Sequence, residues 1–297
     1  MRLGGRPGEV AGRLQGGANR AGRRIRALEL NVVHTLNVVQ NRKRPHLHVV
    51  PDDRRERARA KRRRAILQAA DDLIAEGGLR GVTMQAVADR LDCAVGTLYL
   101  YFPSKAALVA GLQGEAIDTL RASFDTARPT WEAYLEESGL EPDLCSLVRL
   151  VGYGAHWVAA SVVFRDEFHL QRALLSEPVT IEAEAQVRDV LPVLQRLLGQ
   201  PMDLVRGAMD TGVLRPADAQ AQALLWLAAL NGVLLVDALA PVDRHLFRAS
   251  YLAKTLTRDL LVGWGADLED IEVATVHVDR LASLGPLAPP PAGPGYE

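Results

Sequence analysis

The sequence predicts an all-α protein, with an N-terminal three-helix helix-turn-helix domain ahead of a larger helical bundle. Three observations carry this. Alanine and leucine dominate while aromatics make up only 5% of 297 residues, a balance that favours helix over strand. Apolar residues recur at three- and four-residue spacing, and no stretch alternates with the period of two that a half-buried strand needs. Between residues 52 and 105, three short periodic segments follow one another with turn residues between them.

The first of these helices starts at Asp52 or Asp53, either of which can cap it, and runs to Glu76 with Ala65, Ile66, Ala69, Leu73 and Ile74 as its apolar stripe. Gly77–Gly78 stops it, and Gly81 permits the next turn. A second helix spans about Met84–Leu91, with Thr83 as its cap and Val87, Ala88 and Leu91 facing inward. The turn Leu91-Asp92-Cys93-Ala94 leads to a third, from about Ala94 to Phe102. Asp92 takes the place where glycine would tolerate a left-handed φ. Pro103 ends that helix, and Ser104 caps a fourth that runs toward Phe124. Further helices are expected near 143–163, 179–198, 202–212, 217–239 and 243–263. Breaks fall at Arg128–Pro129, Glu141–Pro142, Glu177–Pro178, Gly199–Pro201, Arg215–Pro216 and Ala240–Pro241. The domain reading is therefore 1–52, a disordered basic extension; 53–112, the helix-turn-helix; 113–283, the helical body; and 284–297, a disordered Pro/Gly-rich tail.

The formal net charge of −1 hides an asymmetry. Residues 1–64 hold 18 lysines and arginines against 5 acidic residues, and the remainder holds 17 against 31. A basic front on an acidic body points to a polyanion partner at the front. The basic cluster at Arg54, Arg55, Arg57, Arg59, Lys61, Arg62, Arg63 and Arg64 immediately precedes the first apolar stripe. An arm of this kind follows phosphates or enters a minor groove. Cys93 and Cys145 both sit in apolar helical contexts, which favours free thiols and a cytoplasmic location over a disulfide framework. No secretory signal is legible. The most apolar run, residues 223–240, is broken by Asn231, Gly232 and Asp237, so it reads as a buried bundle or interface helix and not a membrane span.

Enzyme signatures are missing. "GYGAHW" at residues 152–157 has two glycines of a dinucleotide fingerprint but no third and no strand before it. There is no phosphate loop, no serine elbow and no helical histidine pair at metal spacing, so no catalytic residue, metal or cofactor is expected.

Within the helix-turn-helix, Leu98 and Phe102 lie one turn apart and lock the third helix onto Val87, Ala88 and Leu91. Gly96, Thr97, Tyr99 and Tyr101 are left facing outward. A glycine inside a helix costs about 1 kcal/mol relative to alanine, a cost with a purpose where backbone must approach a DNA groove. The stretch "VTMQAVADRLDCAVGTLYLYFPSKAALV" resembles the DNA-binding segment of tetracycline-repressor-like (TetR family) transcriptional regulators. The resemblance is carried by Thr83, Val87-Ala88, Gly96-Thr97-Leu98-Tyr99, Tyr101-Phe102, Lys105 and Leu108, and it covers about 50 residues from Arg63 to Leu112. The family commonly has glycine in the turn and serine or threonine as the third-helix cap. Here those positions are Asp92 and Ala94, which leaves two alternatives: Asp92 takes over the cap from two residues away, or the helix start is weaker.

The resemblance implies a homodimeric repressor on a palindromic double-stranded DNA operator, released by a small-molecule effector, with no membrane partner. It implies that Val95, Gly96, Thr97 and Tyr99 face the major groove, with Gln85 beside them, and that Thr83, Tyr101 and Lys105 contact phosphates, supported by the arm residues Arg62, Arg63 and Arg64. In the body it implies a ligand-binding and dimerisation bundle. Candidate effector contacts are Tyr153, His156, Trp157, Phe164 and Phe168, and candidate dimer contacts are Leu224, Leu227, Leu234 and Leu235. The competing reading is a helical DNA-organising or protein-interaction protein without a small ligand, and the presence of a pocket of several hundred Å³ discriminates between the two.

Overall fold

The computed structural model describes residues 53–176, 184–244 and 246–291. The basic extension expected at 1–52 and the last six residues of the expected tail lie outside them. The chain divides into a unit Met1–Arg57 and a unit Ala58–Glu297, and of the first only the opening turns of a helix are described. Among the described residues every regular element is helical.

Helix α1 (Asp53–Gly81) is interrupted at Gly78, whose φ of 70° is the left-handed geometry that stops a helix at low cost for glycine alone. Thr83 caps α2 (Met84–Arg90) by accepting from the Ala86 amide at 3.0 Å. After the turn comes α3 (Val95–Tyr99), and Ser104 caps α4 (Lys105–Ser138) through the Ala107 amide at 3.0 Å. Then follow α5 (Pro142–Val163), α6 (Arg165–Ser176), α7 (Glu184–Asp210), α8 (Ala219–Val236) with a 3-10 turn at Asp237–Leu239, α9 (Ala249–Trp264) and α10 (Leu268–Leu284).

Two apolar cores form. The first joins Ile66, Leu67 and Ala70 of α1 to Val87 and Ala88 of α2, Leu98 of α3, Phe102, and Leu108 and Leu112 of α4, with Leu170 of α6 reaching in from the body. The second is built around α5, whose Leu147, Val148, Tyr153 and Trp157 meet Phe124 and Trp131 of α4, Trp226 and Leu230 of α8, and Ile271, Ala274 and Val278 of α10. Each such aliphatic or aromatic side chain, fully buried, contributes about 1.5–3 kcal/mol. Helix α4 belongs to both cores, so the expected domain edge at 112/113 falls inside a continuous helix.

Four expectations are corrected. The helix expected to end before Pro129 continues through it, because Phe124, Ala127, Trp131 and Leu135 bury one unbroken face, offsetting the amide that proline lacks. The break expected at Gly199–Pro201 is absent for the same reason, with Val193, Leu197, Val205 and Ala208 all buried along α7. Helix α10 was not anticipated, although Asp267 caps it and Ile271, Ala274, Val278 and Leu281 form a helical stripe. The tail expected to be disordered from residue 284 instead packs on the body as far as its described residues go. Ala288 is buried, the Leu287 carbonyl pairs with His156 Nδ1 at 2.7 Å, and the Pro289 carbonyl accepts from Ser123 Oγ at 2.7 Å.

Candidate nucleic-acid interface

The turn between α2 and α3 is closed by backbone hydrogen bonds from the Cys93 amide to the Ala88 carbonyl at 3.0 Å and from the Asp92 amide to the Asp89 carbonyl at 3.2 Å. Asp92 has a φ of 47°, the left-handed conformation that aspartate tolerates better than most non-glycine residues. Of the two alternatives for the start of α3, the uncapped one is found. Ala94 is the N-cap of α3, and no side chain supplies the capping hydrogen bond.

Helix α3 is fixed from below and open above. Leu98 is fully buried and Phe102 nearly so, in the same core as Val87 and Ala88, while Leu91 packs against that core. Gly111 lets α4 come this close, since a Cβ there would lie 2.9 Å from the Phe102 ring. Away from that core Gly96 and Tyr99 are exposed and Thr97 is half-buried, while Val95, also half-buried, packs against the core. A Cβ at Gly96 would meet nothing within 4 Å, so no neighbour among the described residues demands glycine there. Leu100, which sequence reasoning left without a role, is the most exposed large apolar side chain of the motif at 74%.

The flanking positions are partly engaged within the chain. Gln85 is exposed but its amide donates to Asp89 at 2.7 Å, so it must exchange that bond to reach a base. Thr83 Oγ1 is the α2 cap, and Tyr101 is half-buried against the core. Lys105 is exposed at the first turn of α4, where helix amides also favour an anion. The basic run lies along the N-terminal turns of α1. Of the three arm residues singled out, Arg62 is half-buried and Arg64 exposed, while Arg63 stacks its guanidinium over the Phe102 ring at 4.9 Å. That cation–π contact was invisible in sequence, since 39 positions separate the partners. Glu115 of α4 faces the same region. Its carboxyl is pushed up by burial, against the pull of Arg63 and Arg64. The structure thus gathers Thr83, Gln85, Val95, Gly96, Thr97, Tyr99, Tyr101 and Lys105 around one short helix.

None of the five expected effector contacts lines the cleft that opens in the body among the described residues. Tyr153, His156, Trp157, Phe164 and Phe168 are all at most 5% exposed; Tyr153 and His156 pack edge-on against Phe124, and Trp157 against Phe168. Burial pushes the Tyr153 phenol up and holds His156 down at about 4. A cleft of about 340 Å³ instead opens beside them, between α5, α9 and α10. The dimer contacts also divide. Leu224 and Leu235 are exposed, whereas Leu227 and Leu234 face inward to the core of their own chain. The outward face of α8 and its 3-10 turn presents Ala221, Leu225, Ala228, Gly232, Leu235 and Leu239 at helical spacing. Among the described residues, Pro142–Val163 and Ala219–Leu239 are long and apolar enough to cross a membrane. The first is mostly buried in the body and the second one-third buried.

Comparison with known proteins falls on the same motif. Residues 66–112 match the family model of "Bacterial regulatory proteins, tetR family". The chain is similar to the HTH-type transcriptional repressor KstR of Mycolicibacterium smegmatis, 44% identical over 70 residues, which are 24% of this chain and 34% of that protein. It is 52% identical over 58 residues to KstR of Rhodococcus jostii, covering 20% of this chain and 27% of that one. The similarity thus spans about a third of the length of these curated relatives. A solved structure of RolR in complex with resorcinol overlaps 74% of this chain and 95% of its own at 19% identity, with a TM-score of 0.48. Residues 66–112 thus carry the likeness of this chain to the tetR family of bacterial regulatory proteins.

Proposed function

We propose that this protein is a sequence-specific transcriptional regulator, a cytoplasmic homodimeric repressor that leaves a palindromic operator when a small-molecule effector binds its body. The observation that carries the reading is α3. Leu98 and Phe102 are buried beneath it while Gly96, Thr97 and Tyr99 stand outward, and Arg59, Lys61, Arg62, Arg63 and Arg64 of α1 belong to the same unit. Phosphate contacts from Lys105, Tyr101, Thr83 and the arm position the motif; Val95 and Thr97 offer methyl groups to thymine, and Gly96 admits the backbone. Few of these side chains make bidentate base contacts, so backbone placement carries much of the specificity. Repression is the direction the KstR relatives support.

Dimerisation rests on α8. Its outward apolar stripe has small residues, Ala228 and Gly232, at its middle, where a second helix approaches closely. A twofold copy of this chain covers the stripe and sets the two α3 helices about one DNA turn apart, which makes the operator a palindrome. The 340 Å³ cleft favours an effector-responsive protein over a purely architectural one.

Selection of bound sequences from random DNA tests the reading, and recovery of a palindromic motif is the expected result. Recovery of no motif overturns it. On the selected site, the triple substitution of Arg62, Arg63 and Arg64 by alanine makes the slope of log K against log salt shallower by about 2 to 3. An unchanged slope removes the arm from the interface. Because Arg63 also stacks on Phe102, a thermal melt of the variant accompanies the measurement.

A further inference from the structure

We infer that the cleft between α5, α9 and α10 is the effector site and that it takes an uncharged, elongated apolar molecule carrying one hydroxyl or carbonyl oxygen. This rests on the effector-responsive reading above.

The cleft has the volume of a small ligand site. Its 340 Å³ lies at the low end of the ~300–1,000 Å³ usual for such pockets and equals about eleven waters at ~30 Å³ each. Its walls are apolar and come from three helices and the C-terminal strap: Val151, Val158 and Val162 from α5, Ala253 from α9, Val278 from α10, and Leu287. Water in such a space has few partners, and an apolar guest displaces it favourably.

The polar groups decide the class. Thr257 lines the cleft and is 3% exposed. Its oxygen accepts from Trp226 Nε1 at 3.1 Å, which leaves the hydroxyl proton to be donated to an acceptor. Gly154, also in the lining, leaves room beside this hydroxyl, because a Cβ there would sit 2.9 Å from Thr257 Oγ1. The charged residues of the lining are Lys254 on α9 and Asp279 on α10, one of each sign and both exposed. An anionic or cationic guest gains from one and is opposed by the other, so the cleft has no net preference for charge. A neutral oxygen at Thr257 with an apolar body along α5 satisfies every wall.

The test uses the full chain and three probes of one length, 1-octanol, octanoate and octylammonium, titrated by calorimetry at pH 7. Octanol is expected to bind saturably at one per chain, and the two ions at least about tenfold more weakly. Ser250 is exposed in the lining, so Ser250→Trp plugs the cleft without touching the core. That variant is expected to melt like the parent and to lose octanol binding. Ala155→Leu, which fills the cleft from its α5 wall, weakens binding in the same way. Equal affinity for all three probes, no saturation up to the solubility limit of octanol, or octanol binding unchanged by Ser250→Trp each overturns the assignment. Binding lost in Trp157→Phe but kept in Ser250→Trp overturns it in favour of the aromatic core, where Trp157 Nε1 has no hydrogen-bond partner. Failure here leaves the selected DNA motif standing, whereas absence of a motif sinks the regulator reading whatever octanol does.

Discussion

Ala94 and Asp92 show what one residue decides in this motif. Helix α3 is five residues long and begins without a side-chain cap, so its seat depends on Leu98 and Phe102 below it. A serine at the cap position restores the missing bond to the first-turn amides. Ala94→Ser is expected to stabilise the protein by about 0.5–2 kcal/mol, read as a raised urea midpoint with an unchanged slope. Asp92 acts through its backbone. At φ 47° a β-branched residue is strained by about 1–2 kcal/mol, so Asp92→Val lowers the midpoint while Asp92→Gly leaves it nearly unmoved. A cap supplied by Asp92 would instead make Asp92→Gly itself lower the midpoint, by the equivalent of about 0.5–2 kcal/mol. The anchors and the turn were legible in sequence because spacing alone fixes them, whereas the outward set was legible only in part, since Tyr101 packs against the core and Leu100 is the more exposed. The stacking of Arg63 on Phe102 and the bond that occupies Gln85 were not, since each depends on side-chain geometry rather than register.

At the scale of elements, helix content was legible and helix ends were not. Proline reads as punctuation in a sequence, yet Pro129, Pro192 and Pro201 all lie within helices, and for Pro129 and Pro201 the buried faces on either side are continuous. Local propensity is worth less than a row of buried aliphatic residues. Helix α8 makes the matching point about faces. Its sequence is apolar all round, so periodicity could not separate the side that packs at home from the side left over. The structure separates them, with Leu227 fully buried and Leu225 at 60% exposure. The two leucines therefore have opposite expected phenotypes. Leu225→Glu weakens self-association at least tenfold in sedimentation equilibrium while the monomer keeps its helical circular dichroism. Leu227→Ala costs about 2–5 kcal/mol of stability with association intact in the folded fraction. If Leu225→Glu leaves the association constant unchanged, α8 is not the dimer face.

For the molecule as a whole, the strap after α10 ties the far end of the chain to the body, and it does so through a histidine. His156 is 1% exposed, its Nδ1 pairs with the Leu287 carbonyl, and burial holds its pKa down at about 4 against an ordinary 6.5. The folded state therefore needs the ring neutral. Above pH 6.5 both states are neutral and the full stability is present. As pH falls below 6.5 the unfolded chain takes up a proton that the folded chain refuses until about pH 4, so stability declines over that window by up to about 3 kcal/mol. His277, paired with the Tyr134 hydroxyl at 2.6 Å and also held below its ordinary value by burial and Arg280, acts with the same sign. Three carboxyls act in the opposite sense. Asp71, Glu115 and Glu167 are raised by burial and, in part, by one another. Their ionisation costs the folded state stability at neutral pH, and acid relieves that cost. Total stability against pH mixes both signs, but the difference between the parent and His156→Gln isolates the histidine. Glutamine keeps an amide donor for the Leu287 carbonyl and cannot titrate. Urea midpoints measured at pH 7, 5.5 and 4 are expected to converge, with the parent losing its advantage over the variant as the pH drops. A gap that stays constant across the three pH values means that the His156 ring is not kept neutral by its burial under the strap.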